Sequence, residues 1–151
     1  MIPKGAFFNS CFGSLLQMII NVSQWNAGGL LNVTGGVWEL LFDSDVVLLQ
    51  VLHHVVSPDD FPGFHVFQTP PRSNSHGRAS AGSAIFVSKL IPYAPVLLHL
   101  SSDEVCWVRL EPVVPGGRAV LLASAYFYPT NSARHDEDAP YSLQTAIELH
   151  R

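Results

Sequence analysis

The stretch from Ser44 to Val56 reads SDVVLLQVLHHVV. From Val46 to Leu49 it is an unbroken apolar run of strand length, the pattern of a strand covered on both faces rather than one with a wet side. A strand sealed on both sides needs a layer against each, so this segment predicts a layered domain. The end of the strand is less ordinary. Gln50 gives way to Val51, a β-branched hydrocarbon, and then to the pair His53 and His54. A strand end that leads into a functional loop usually exposes something polar, and Val51 does not.

Working back from that strand, GGVWELLF places Val37, Trp38, Leu41 and Phe42 at helical offsets, and Asp43 and Ser44 close the helix. Before it, LLQMIINVSQWN reads as a strand in which Ile19, Ile20 and Val22 supply β-branched weight ahead of Asn26, and AGGLLN reads as a turn. Residues 1 to 14 form a poorly specified lead-in to a domain spanning 15–151.

Working forward, HHVVSPDDFPGF is a loop punctuated by Pro58, Pro62 and Gly63, HVFQT a short strand, and PPRSNSHGRASAG a long polar loop. SAIFVSKLI, EVCWVRLEPV and AVLLASAYFY read as three strands in an antiparallel run, with PGGRA as the hairpin connection between the last two. Beyond PTNSARHDED a second helix is expected, capped by Asp138, with Pro140 in its first turn and Leu143, Ala146 and Ile147 as its buried stripe. The expected class is α/β (α+β), with helices covering the outer face of a mostly antiparallel sheet.

Composition narrows the functions. The chain of 151 residues is 48% hydrophobic and 13% charged, with net charge -4 and a pI near 5.9, so no broad positive field advertises a polyanion partner. Apolar content of this size exceeds what a small core needs, which points to a surface held against something else. Cys11 and Cys106 have neither metal-ligand spacing nor a disulfide framework and read as reduced, buried thiols. No apolar run reaches the roughly 18 residues of a membrane span, and the start lacks the form of a signal peptide, so no membrane role is expected.

Four segments then fall in a telling order: SQWNAGGL (23–30), DVVLLQV (45–51), GRASAGSAIFV (77–87) and LLASAYFYPTNS (121–132). Together they resemble the N-terminal half of the endonuclease/exonuclease/phosphatase superfamily, and most closely the endonuclease domains of non-LTR (LINE-type) retrotransposons. The resemblance covers most of the chain from about Leu15 onward. It implies one half, or most of one sheet, of a two-sheet sandwich with helices on the outer face, and a site where loops from both sheets converge. It also implies a Mg2+-dependent hydrolysis of DNA phosphodiesters and a nuclear location. The metal would orient the phosphate and stabilise the leaving oxygen.

Carried over residue by residue, the resemblance gives a mixed site. Asn26 matches the asparagine beside the metal and scissile phosphate; the alternative is an asparagine capping the turn at NAGG. Tyr126 matches the phosphate-contacting tyrosine; the alternative is an aromatic packed at a strand end. Pro129 and Asn131 fit the loop after that strand, with Asn131 a candidate nucleic-acid contact, although Tyr128 stands where a proline is common. Arg78 could meet a DNA phosphate or point into solvent.

Val51 is the first departure. The family's strand ends in Gln-Glu, and that glutamate is a metal ligand, whereas LLQV keeps the amide and loses the carboxylate. Valine has no lone pair to offer a hard cation. His53 and His54 are poor substitutes and read as solvated loop histidines, since imidazole suits zinc or iron and a two-residue shift moves the group about 6–7 Å along an extended chain. The second departure is larger. The family's Gly-Asp-x-Asn and terminal Asp-His segments, which supply the base and hold the water, do not occur in the sequence. HDED (His135–Asp138) has suitable residue types but reads as a solvated helix cap.

Three functions stand as expectations: a metal-dependent nicking endonuclease, a non-catalytic remnant that binds nucleic acid weakly, or a module whose bare sheet face meets a protein partner. The resemblance supports the first as ancestry, and the two departures favour an inactive chain.

Overall fold

The computed structural model describes residues 19–28, 35–69, 72–73, 79–80, 82–99, 101 and 104–126. The lead-in over 1–14 and the helix expected beyond Asp138 lie outside the described residues. Within them the order is β1 (Val22–Asn26), α1 (Gly35–Phe42), β2 (Val46–Gln50), β3 (Phe64–Gln68), β4 (Arg72–Ser73), β5 (Ala79–Ser80), β6 (Ser83–Ser88), β7 (Tyr93–Leu97), β8 (Val105–Pro112) and β9 (Val120–Ala125), with a 3-10 turn at Pro58–Asp60.

The described chain is mostly β. Its first sheet has four strands in the order β1-β2-β6-β3, with β1 parallel to β2 and the other pairs antiparallel. The second has three antiparallel strands in the order β7-β8-β9, and β4 and β5 form a two-stranded ladder apart. Apart from β4 and β5 the described strands divide between two sheets, where the resemblance implied half or most of one sheet of a two-sheet sandwich with helices on its outer face. One helix, α1, is present among the described residues.

β2 behaves as its apolar run predicts. Val47 and Leu49 join Leu41, Ala84 and Phe86 in a cluster on the α1 side. Val46 joins Ile85, Val87, Cys106, Val108 and Leu110 in a second cluster that unites the two sheets. Alternation along the strand sends successive side chains into different layers, so both faces are dry. The α1 side is rich in aromatic rings. Phe86 meets Phe42, Phe61 and Phe64 at centroid distances of 5.6, 5.0 and 6.3 Å, and Trp38 stacks on Phe42 at 5.1 Å.

One expectation needs correction. SAIFVSKLI does not continue the antiparallel run. As β6 it sits between β2 and β3 in the first sheet, because every residue of it is buried and only a central strand can be covered so completely. The run that pairs with β8 is instead β7, which the sequence pattern conceals. Pro95 lies inside it, opposite Leu110, and a proline normally argues against a strand. β7 is an edge strand, and there a missing N–H can face away from the ladder.

Phe86→Ala should remove the ring on which the aromatic cluster converges. The expected loss is about 3–5 kcal/mol of stability, read as a shift in the urea midpoint.

Candidate functional site

One end of the sandwich collects the polar side chains. β1 and β2 run parallel with Asn26 beside Gln50, and Ala27 N donates to Gln50 O at 3.0 Å. Gln50 is 4% exposed, and a buried amide has to find partners. Its Nε2 donates to Ser124 Oγ at 2.9 Å, and its Oε1 accepts from Gln24 Nε2 at 3.4 Å. Ser124, 1% exposed, passes the connection on by donating from Oγ to Leu49 O at 3.0 Å. One hydroxyl on β9 therefore accepts from the side chain at the end of β2 and donates to its backbone. This chain of bonds spans the two sheets.

Ser83 faces Gln50 across the β2–β6 ladder and is buried, its Oγ without a hydrogen-bond partner among the described residues. The ladder is extended past β3 by Thr69, whose N donates to Ser83 O at 2.9 Å and whose Oγ1 accepts from Ser83 N at 3.0 Å. On the second sheet Tyr126 N donates to Glu104 O at 2.8 Å, one step beyond the Val105–Ala125 pair. Alternation from Leu122 and Ser124 puts half-buried Tyr126 on the inter-sheet side, with Glu104 opposite it at 2% exposure.

Asn26 and Tyr126, matched to the family's site from sequence, thus lie at the same end of the sandwich, on strands of different sheets. Asn26 is exposed and its Oδ1 accepts from Gly28 N at 3.3 Å. That contact is the turn-capping alternative. Arg78, Asn131, Pro129 and the HDED run lie outside the described residues. Sequence reading missed Ser124 and Glu104. Ser124 carried a signal, being the one hydroxyl within LLASA, an otherwise apolar strand.

Val51 has a geometry that its sequence did not suggest. It is half-buried with φ +57°, and His53 comes next but one with φ +51°. A left-handed conformation costs a residue with a Cβ roughly 1–2 kcal/mol, and for a β-branched one it is a true outlier. The bends turn the chain so that Leu52 and Val56 enter the α1-side cluster while His53, His54 and Val55 stay exposed. Leu52 N donates to Gly82 O at 3.3 Å. Gln68 grips the far end with both atoms of its amide, Nε2 donating to His54 O and Oε1 accepting from Val56 N, each at 2.7 Å.

The arrangement offers amides, hydroxyls and a phenol, groups that suit contact with phosphate oxygens, together with the buried Glu104 carboxylate. Val51 provides no ligand, and no group of three or more His, Cys, Asp or Glu side chains that could hold a metal occurs among the described residues. Likewise no described helix is long and apolar enough to cross a membrane. No protein-family model matches the chain, and no curated protein matches its sequence.

Two measurements probe this end of the fold. Ser124→Ala should cost about 1–3 kcal/mol in a denaturant titration, because it strands the buried Gln50 amide. Cys106, opposite Ser124 in the β8–β9 ladder, is a free thiol that burial pushes up to about 12 from 9.0. The unfolded thiol ionises first, so stability should fall as pH rises from about 9 toward about 12. Cys106→Ser should flatten that alkaline decline, as measured by melts across the same pH range.

Proposed function

We propose that the chain is a retroelement-derived domain of the endonuclease/exonuclease/phosphatase type, ancestrally a Mg2+-dependent DNA-nicking hydrolase, that no longer cleaves. The observation that supports this reading is that Asn26 and Tyr126 lie at one end of the two sheets, and on the resemblance Val51 stands where the family has its carboxylate. The spacing of the four resembling segments supports it further. On this reading residues 15–151 correspond to the first half of such a domain, and helices cover the outer faces of the complete sandwich.

What remains at the site is binding chemistry. Asn26 and Tyr126 would contact phosphate, and the resemblance adds Arg78 and Asn131 as further nucleic-acid contacts. Magnesium would have come with the ancestral reaction, and Val51 offers it no ligand. Binding to DNA that rests on so few cationic groups should be weak and should vanish with rising salt.

A specific observation favours a second reading, a module that binds a protein. β1 is an edge strand without charge or proline, and Val22 and Trp25 on it are 49% and 44% exposed. Edges of soluble proteins are usually guarded, and among the described residues nothing guards this one. A partner strand added to β1 would cover it.

The test is a plasmid-nicking assay with magnesium or manganese against a chelator control, on protein shown to be folded by circular dichroism. The expected result is intact supercoiled plasmid under every condition, and the same for Val51→Glu, since the sequence also lacks the Gly-Asp-x-Asn and Asp-His segments. Chelator-sensitive nicking by the unmodified chain would overturn the claim of inactivity. Chelator-sensitive nicking by Val51→Glu alone would show that the distal segments are dispensable.

A further inference from the structure

We propose that the outer edge of β3 is a docking cleft for an extended peptide that alternates acidic and apolar residues. This edge lies across the first sheet from β1, since the strand order is β1-β2-β6-β3, and the inference stands apart from the nuclease reading. A cleft of about 410 Å3 runs along it. Its walls come from both faces of the strand. On the α1 side are Val66 and, from the turn before the strand, Pro58, Asp59 and Pro62. On the other face are His65 and Lys89, the residue that follows β6. A cleft walled by both faces of one strand has the backbone edge of that strand as its floor.

The ladder with β6 fixes which backbone groups reach that floor. Lys89 N donates to Gly63 O at 3.0 Å and Thr69 N to Ser83 O at 2.9 Å, at the two ends of the β3–β6 pairing. Inward and outward residues alternate in an antiparallel ladder. His65 and Phe67 therefore turn their N–H and C=O toward β6, while Phe64, Val66 and Gln68 turn theirs to the open side. Phe64 N donates to Phe61 O at 3.0 Å. Val66 N–H and C=O have no hydrogen-bond partner among the described residues. One residue of an added antiparallel strand satisfies both, in the mode where main-chain bonds give affinity and side-chain pockets give specificity.

The side chains set the kind of peptide. Successive residues of an added strand point to opposite faces. Those on the α1 side meet Val66, Pro58 and Pro62, an apolar wall whose one charge, Asp59, disfavours an acid. Those on the other face meet His65 and Lys89, both exposed. Lys89 is one of two lysines in the chain, and its ammonium has no ion pair with a described residue. An acidic residue placed beside it is attracted, and a basic one is repelled. Two copies of the chain meeting edge to edge through β3 would crowd the Lys89 and His65 of both onto one strip. Lysine at an edge guards against such self-pairing, which favours a foreign acidic strand over a second copy.

The test is an NMR titration of the isotope-labelled full chain with a synthetic peptide, acetylated and amidated, in which valine and glutamate alternate. The amides of Val66, Phe67 and Lys89 should shift saturably, those of Gln24 and Trp25 on β1 should not, and added salt should weaken binding. The matching valine–lysine peptide should bind about tenfold more weakly, and Lys89→Glu should reverse that preference. Val66→Pro removes the outward N–H at a position where an edge strand tolerates proline, and it should abolish binding with the circular dichroism spectrum unchanged. Lys89→Glu alters only an exposed side chain, so it reads the charge preference even if Val66→Pro does not fold. Absence of shifts along β3, equal binding of the two peptides, or dimerisation of the unmodified chain through β3 would overturn the proposal.

Discussion

The burial of β2 on both faces is the constraint on which the rest of the structure depends. Four apolar residues in a row cannot be satisfied by a single layer. Val47 and Leu49 require the aromatic cover brought by α1 and the turn after residue 56, and Val46 requires the second sheet. The same strand then ends in an amide that has no water to turn to. Gln50 resolves this by bonding across to Ser124, so the polar terminus of a dry strand becomes the tie between sheets at the candidate site.

Much of this was legible from the residues. DVVLLQ announced its double burial through unbroken hydrophobicity, and GGVWELLF its helix through spacing. Pro95 hid β7, because the sequence does not say whether a strand will be central or at an edge, and a proline is excluded only from the first. The reading of SAIFVSKLI as part of one run with β8 and β9 failed for a related reason. Adjacent apolar strands pair by default, and the pairing of β6 with β2 and β3 is set by burial across the whole domain.

The site was legible in a different way. Resemblance, not periodicity, picked out Asn26, Tyr126 and Val51, and the fold places the first two at one end. What no local pattern revealed was the role of Gln68 or Glu104, whose importance comes from neighbours far along the chain. Val51 is the sharpest case. As a letter it reads as a lost ligand; as a backbone it is a left-handed bend that delivers Leu52 to the core. The first description is what the resemblance implies and the second is what the fold shows.

The bond from Ser124 to Leu49 joins residues 75 positions apart, and the second sheet begins only after all four strands of the first have been made. During synthesis the inner face of the first sheet therefore waits, bare, for its cover. Val46, Ile85 and Val87 are exposed on it until β8 and β9 emerge and close over them. Contacts between residues so distant in the chain form slowly, and a waiting apolar face is open to wrong partners. The tie between the two sheets is therefore made late, after the chain from Ser88 to Ala125 has emerged.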